Sequence, residues 1–165
     1  MKKTILSLLL ALCLLLSMPA FADDDDVDTS AWNYYTFEGS AVAMKLPEDF
    51  AALETTDENI VYYAGNNAVV LEVTALEGYT ELSQIVDDQR KLEYLEDVEI
   101  ENKNGIAMVE IEGADDEVFG FFVISPEGTT YRFMFYPIFE ETTGADGEDV
   151  AEAIFDSIAA SETVA

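Results

Sequence analysis

The chain has 165 residues, half of them hydrophobic, with 35 acidic residues, seven basic residues and no histidine, and its formal net charge is −28. This acidity disfavours partners that carry phosphate, because nucleic acids and anionic lipid surfaces would repel the protein. We therefore expect no nucleic-acid partner and no direct binding of the folded domain to a membrane.

The first 22 residues have the composition of a secretory signal peptide. Lys2 and Lys3 provide a positive start, residues 5–18 are apolar, and an Ala-Phe-Ala cleavage signal ends at Ala22. The alternative is a membrane anchor, but an apolar run of this length reaches about 21 Å as a helix and a bilayer core is roughly 30 Å thick. Lipidation of Cys13 is disfavoured because the apolar run continues past it. We predict cleavage after Ala22 and secretion from the cell.

Cleavage would also change the chemical inventory of the chain. It would remove the only cysteine, and Lys45, Arg90, Lys91, Lys103 and Arg132 would then oppose 35 acidic residues. The remaining length suits one domain with a core that needs no disulfide. Without histidine, cysteine, a nucleophile-elbow serine or a glycine-rich phosphate loop, the mature chain has no recognisable catalytic set. We expect a protein that is not an enzyme and uses no cofactor.

An acidic leader, residues 23–31, is predicted to follow the signal peptide. Its dense charge and small residues favour a flexible spacer. The alternative is a divalent-cation site, but calcium loops wrap their oxygens around the ion at a glycine turn, and this run has no glycine. The candidate ligands are Asp23, Asp24, Asp25, Asp26 and Asp28.

Hydrophobic residues alternate with a period of two over most of the chain after Trp32, which predicts strands. The clearest turn between strands is Asn104-Gly105, because both residues tolerate a positive φ. The sequence VFGFFVI at residues 118–124 is apolar on both faces, so we place it at the centre of the sheet, covered on both sides. The predicted strands are residues 42–46, 60–64, 68–75, 98–103, 106–112, 118–125 and 130–139.

Helical spacing interrupts this alternation twice. The first helix is predicted from about Glu81 to Leu95 with Thr80 as its N-cap. The second is predicted over residues 148–160, after Asp146, with apolar residues every fourth position on one face. The sequence therefore predicts an α+β fold, in which two main helices pack on a mostly antiparallel sheet of six or seven strands.

This order of elements resembles the PsbP-like family. The matching features are KLPEDF at residues 45–50 after an early strand, the Asn104-Gly105 hairpin, and AEAIFDSIAAS at residues 151–161. The resemblance covers residues 32–161 as one domain and leaves a tail at 162–165. It implies an α/β/α sandwich, as in thylakoid-lumen photosystem subunits, a Ran-binding nuclear import factor and secreted or lipid-anchored bacterial proteins. It implies a binding or assembly role, and no functional residue of the family maps onto this chain.

Two kinds of binding remain open. The first is association with an extracellular or envelope protein through Glu99, Glu101, Glu110 and Glu112, which the strand pattern places on neighbouring strands. The alternative interpretation of these residues is a solvated sheet face. We expect a monomer whose partner the sequence does not identify.

The second kind is binding of a small molecule, a glycan or a cation. Aromatic rings stack on sugar faces, and such rings cluster in two short segments. Arg132 is a candidate anchor for a ligand carboxylate, although an arginine in a strand more often pairs with a neighbouring glutamate, for example Glu117 or Glu127. The aromatic candidates are Trp32, Tyr34 and Tyr35, with Tyr62 and Tyr63 beside them.

Overall fold

The computed structural model describes residues 27–52, 59–64, 68–113, 119–137 and 147–164. The predicted signal peptide lies outside these residues. The described part contains α1 (Leu82–Gln89), α2 (Gly147–Asp156) and a short 3-10 turn (Ser161–Thr163). Its strands are β1 (Asn33–Phe37), β2 (Val42–Leu46), β3 (Ala51–Ala52), β4 (Ile60–Ala64), β5 (Val69–Leu76), β6 (Leu95–Lys103), β7 (Ile106–Gly113), β8 (Phe119–Ile124), β9 (Thr130–Pro137) and β10 (Ala159–Ala160).

The strands form two sheets, and every pairing between them is antiparallel. The larger sheet has seven strands in the order β3-β4-β5-β9-β8-β7-β6, and the smaller has the order β1-β2-β10. The predicted α+β fold with mostly antiparallel strands is confirmed. The separate small sheet forms because β2 pairs with β1 and not with the large sheet. Ala159 and Ala160, expected in a helix, add a third strand to it by pairing with Ala43 and Val42.

Two buried clusters place the helices on opposite faces of the large sheet. One cluster joins the sheet to α2 and the small sheet, with Phe121 and Ile154 among its members. The other joins the sheet to α1, with Phe122 and Ile85 among its members. Since successive strand residues point to opposite faces, Phe121 and Phe122 show that β8 is covered on both sides, as its sequence predicts.

The first helix is shorter than predicted. It begins after Glu81, not Thr80, and the side chain of Gln84 accepts the Glu81 backbone N–H at 3.3 Å. It ends at Gln89, where the chain turns and the Arg90 guanidinium donates to the carbonyl oxygen of Val98 at 2.9 Å. This bond joins the end of the helix to β6, and Leu95, expected at the end of the helix, instead opens that strand.

The second helix also ends earlier than predicted, at Asp156. Ser157 accepts the Lys45 backbone N–H at 2.7 Å and donates to the Ile154 carbonyl oxygen at 2.6 Å, so it fastens the helix end to β2. The predicted cap, Asp146, lies outside the described residues. Among the helices that the structure describes, none is both long and apolar enough to cross a membrane.

The Asn104-Gly105 turn forms as predicted. Asn104 has a φ of 53° and Gly105 a φ of 88°, both in the left-handed region. The Asn104 side chain also donates to the carbonyl oxygen of Ile158 at 2.6 Å. This bond ties the β6–β7 hairpin to the chain just after α2 and so places the two elements that flank the candidate site.

Candidate functional site

Five carboxylates of the β6–β7 hairpin lie on one face of the large sheet, the side on which α2 packs. The cause is alternation: Val98, Val109 and Ile111 are buried beneath α1, so the residues between them must point the other way. In the register of the two strands, Glu99 lies opposite Glu110. We call this set, Asp97, Glu99, Glu101, Glu110 and Glu112, the acidic face.

The four glutamates predicted from the sequence are thus brought together, and Asp97 adds a fifth carboxylate. Asp97 lies opposite Glu112, just after a register shift that follows Leu95. The strand predicted from the sequence begins at Val98 and so excludes Asp97. The alternation Asp-Val-Glu-Ile-Glu was the signal that could have extended the strand to it.

The carboxylates of the acidic face perturb one another. Burial raises the pKa of Glu110, and the negative charges of Glu101, Asp97 and Glu99 add to this increase while Lys103 opposes it. A hydrogen bond with Asp97, together with its charge, raises the pKa of Glu99. The folded chain therefore holds these groups where their ionised form is disfavoured, and a nearby cation would relieve that penalty.

A groove of about 510 Å³ separates the acidic face from α2. One wall carries Glu110 and Glu112. The other carries Glu148, Glu152 and Asp156, which follow one another at helical spacing. We call this the acidic groove, since carboxylates from both walls line it.

One cation, Lys103, lies within the acidic groove. Its ammonium nitrogen Nζ donates to Asp156 Oδ1 at 2.5 Å and lies 3.8 Å from the centroid of the Phe155 ring. An aromatic face and a carboxylate both stabilise an ammonium ion at short range. The α2 wall is therefore chemically suited to an alkylammonium group.

A second groove, of about 500 Å³, lies on the other side of α2 and includes Tyr34. Glu152 and Asp156 line this groove as well as the first, so acidic surface continues around the helix. Lys45 lies here, with its Nζ 5.7 Å from the centroid of the Tyr34 ring.

The aromatic candidates do not form one stacking platform. Tyr34 and Tyr35 are each 42% exposed, but as neighbours in β1 they point to opposite faces. The Tyr35 ring packs edge to face against Phe37 and Tyr63 at centroid distances of 5.0 and 5.5 Å. Burial raises the pKa of Tyr63, as does its hydrogen bond with Tyr35.

The other aromatic candidates are also divided. Trp32 is partly buried against the α2-side core. Tyr62 and Tyr63 are successive residues of β4, so their side chains also point to opposite faces. Tyr35 and Tyr63 therefore contact each other, whereas their chain neighbours Tyr34 and Tyr62 point to the opposite faces of their strands. A glycan or small-molecule site at these rings stays a prediction.

Arg132 pairs with a glutamate of a neighbouring strand, and that glutamate is Glu72 of β5. Its Nη2 donates to Glu72 Oε1 at 2.5 Å, and the Thr74 hydroxyl donates to the same oxygen at 2.9 Å. The side chain of Glu72 is only 9% exposed, so the pair neutralises a buried charge. Of the partners suggested by sequence, Glu127 lies in the exposed β8–β9 turn and Glu117 lies outside the described residues. A glutamate inside the apolar run of β5 was the signal for this pair.

The candidate metal ligands Asp23, Asp24, Asp25 and Asp26 lie outside the described residues. Asp28 is exposed, and its carboxylate accepts the Ser30 backbone N–H at 2.9 Å. Hydrogen bonds from the side chain and then the backbone of Ser30 lower the pKa of Asp28. In the part of the chain that the structure describes, no group of three or more acidic, histidine or cysteine residues could hold a metal ion.

Comparison with known proteins does not assign this chain to a family. No protein-family model matches the chain, and no curated protein sequence matches it. The function must therefore be inferred from the surface that the fold itself builds.

Proposed function

We propose that this protein is a secreted, monomeric, non-enzymatic binding domain with a PsbP-like sandwich, and that its acidic face and acidic groove engage a basic extracellular or envelope protein. The observation that carries the proposal is the direct opposition of like charges, with Glu99 facing Glu110 across the hairpin. Like charges in opposed positions destabilise a sheet. Locally unfavourable arrangements are expected mainly at functional positions.

The acidic groove supports a partner that carries lysine side chains. Its α2 wall already holds the ammonium group of Lys103 against Asp156 and the Phe155 ring. The carboxylates of Glu110 and Glu152 line the rest of the same groove. A lysine from a partner would thus meet the chemistry that already stabilises one ammonium group here.

Capture of a partner by matched variants tests the proposal. The first variant neutralises the four glutamates of the acidic face by E99Q, E101Q, E110Q and E112Q and leaves Asp97 unchanged. The control removes the same number of charges at exposed positions elsewhere, by E38Q, E48Q, E77Q and E127Q. We expect the wild type and the control to capture the same basic protein from culture medium or envelope, and the face variant to lose it.

Salt dependence provides the second readout. Affinity for the captured protein should fall by about tenfold or more between low and high salt, because exposed charges are screened. Equal capture by the face variant, or affinity that does not change with salt, would contradict the proposal.

Export can be tested independently of binding. The proposal expects a protein in the culture medium whose first residue is Asp23, since cleavage would follow Ala22. Mass spectrometry of the secreted protein measures this terminus. An intact N-terminus in the cell pellet would rule out processing at this position.

A further inference from the structure

The strand β6 ends the large sheet at one side. It is nine residues long, and among the described residues it pairs only with β7. An edge strand of this length presents backbone donors and acceptors on its outer side, where another extended chain can pair with them.

The bonds of Val98 identify the outward-facing residues. Its carbonyl oxygen accepts from Arg90 at 2.9 Å, and its N–H donates to the Asp97 carboxylate at 2.7 Å. Both groups of Val98 are therefore directed away from β7. Because this direction alternates along an antiparallel strand, Ile100 and Asn102 present their backbone groups at the same outer edge. Side chains close the edge at Val98, and among the residues that the structure describes no bond closes it from Ile100 to Asn102.

The side chains of this open segment differ between the two faces. Ile100 lies on the α1 face and is 53% exposed, although it is a large apolar residue. Glu99 and Glu101, on either side of it, belong to the acidic face. The segment thus presents an apolar side chain on one face and two carboxylates on the other, next to the outward-pointing backbone groups of Ile100 and Asn102.

We propose that the outer edge of β6 binds its partner by strand addition: an extended antiparallel segment pairs with Ile100 and Asn102. In such a pairing, opposed residues share a face. The residue opposite Ile100 is therefore apolar, and the residues beside it, opposite Glu99 and Glu101, are lysine or arginine. Backbone hydrogen bonds supply the affinity, and the alternating side chains supply the specificity. This mode rests on the proposed function, since it uses carboxylates of the acidic face.

Charge determines the choice of occupant. A second copy of the chain, pairing antiparallel about Ile100, would place Glu99 of one molecule opposite Glu101 of the other. Four carboxylates would then meet on one face, which disfavours self-association. A segment with alternating basic and apolar residues places its basic side chains opposite Glu99 and Glu101 and an apolar side chain opposite Ile100.

Backbone-methylated peptides test the proposal with the full mature chain. The probe is a peptide of alternating lysine and valine. Methylation of the valine amides removes the donors that would pair with β6, whereas methylation of the lysine amides removes donors that would point away. We expect about tenfold or greater loss of affinity for the valine-methylated peptide and little change for the lysine-methylated one. Titration calorimetry measures both.

A third peptide separates this mode from the proposed function. Alternating lysine and proline carries the same charge but cannot add as a strand. If all peptides bind equally, with affinity that falls with salt, strand addition is wrong and the acidic surface remains a binding site. If none binds, both proposals are wrong.

The variant Ile100→Pro tests the edge from the protein side. The Ile100 N–H points outward, so proline removes no bond to β7, as expected for edge strands. It should lower affinity for the lysine–valine peptide about tenfold, while Ile100→Thr keeps it. If Ile100→Pro fails to fold, the methylated peptides still test strand addition on the wild-type protein. The assignment to a basic partner would be overturned if the wild type formed a dimer without any peptide, Ile100→Thr preserved that dimer and Ile100→Pro abolished it.

Discussion

Neutralising Glu110 should stabilise the isolated protein. Glu110 is half-buried and lies opposite Glu99, and its charge also meets Glu101 and Asp97. A like-charge cross-strand pair destabilises a sheet by about 0.2 to 1 kcal/mol. Two charges about 6 Å apart in a water-like medium repel by about 0.7 kcal/mol, which agrees with this range. We expect Glu110→Gln to increase the free energy of unfolding by about 0.5 to 1 kcal/mol, or about 2 °C in Tm.

The effect should depend on pH and on the presence of Glu99. Because the pKa of Glu110 is raised in the folded protein, its charge is disfavoured there more than in the unfolded chain. The penalty is therefore absent below the ordinary carboxyl pKa and sets in as pH rises through the raised value. The advantage of Glu110→Gln should be present at neutral pH, shrink in high salt and vanish in acid.

The contribution of the Glu99–Glu110 pair to the free energy of unfolding is measured by urea unfolding of four proteins. These are the wild type, Glu99→Gln, Glu110→Gln and the double variant. The cycle should show coupling, with the second neutralisation gaining less than the first. Glu127→Gln in the exposed β8–β9 turn is the control for loss of one charge. Additive effects, or equal stabilisation by Glu127→Gln, would mean that total charge and not the opposed pair produces the repulsion.

Three further substitutions test the contacts that build the fold. Arg132→Ala should destabilise the protein by about 2 to 3 kcal/mol in urea unfolding, because it leaves the buried Glu72 carboxylate without its guanidinium. Gly120→Ala should lower Tm by about 6 °C or more, since its Cβ would collide with the Phe133 carbonyl oxygen and the Met134 side chain. Asn104→Gly should cost about 1 kcal/mol by calorimetry, because glycine keeps the positive φ but loses the bond to the Ile158 carbonyl oxygen. Wild-type stability in any of the three would contradict the contact concerned.

Local signals in the sequence account for the parts of the fold that were predicted. The Asn104-Gly105 turn forms because both residues adopt a positive φ readily, and alternation alone assigns Val98 and Ile111 to the face covered by α1. The remaining β6–β7 carboxylates then had to share the other face. The core of the candidate site was therefore predictable from a turn and a period of two.

Contacts between distant segments account for the parts that were not. At the end of α1, Arg90 bonds to Val98 of β6, and at the end of α2, Ser157 bonds to Lys45 of β2. The acidic groove depends on placing α2 beside the hairpin, where Lys103 meets Asp156. No local pattern encodes these pairings, because each joins residues of separate elements.

Total charge and charge placement make different demands on this protein. Solubility needs many carboxylates, and they are most stable when spread over the surface. The β6–β7 hairpin does the opposite, since Glu99 opposes Glu110. The hydrogen bond and charge of Asp97 raise the pKa of Glu99, and burial, with the neighbouring negative charges, raises the pKa of Glu110. An exchange of one opposed glutamate for glutamine would preserve solubility and remove the repulsion. The proposed function accounts for the opposed pair by a cation from the partner, and the proposed docking edge at Ile100 lies beside that pair.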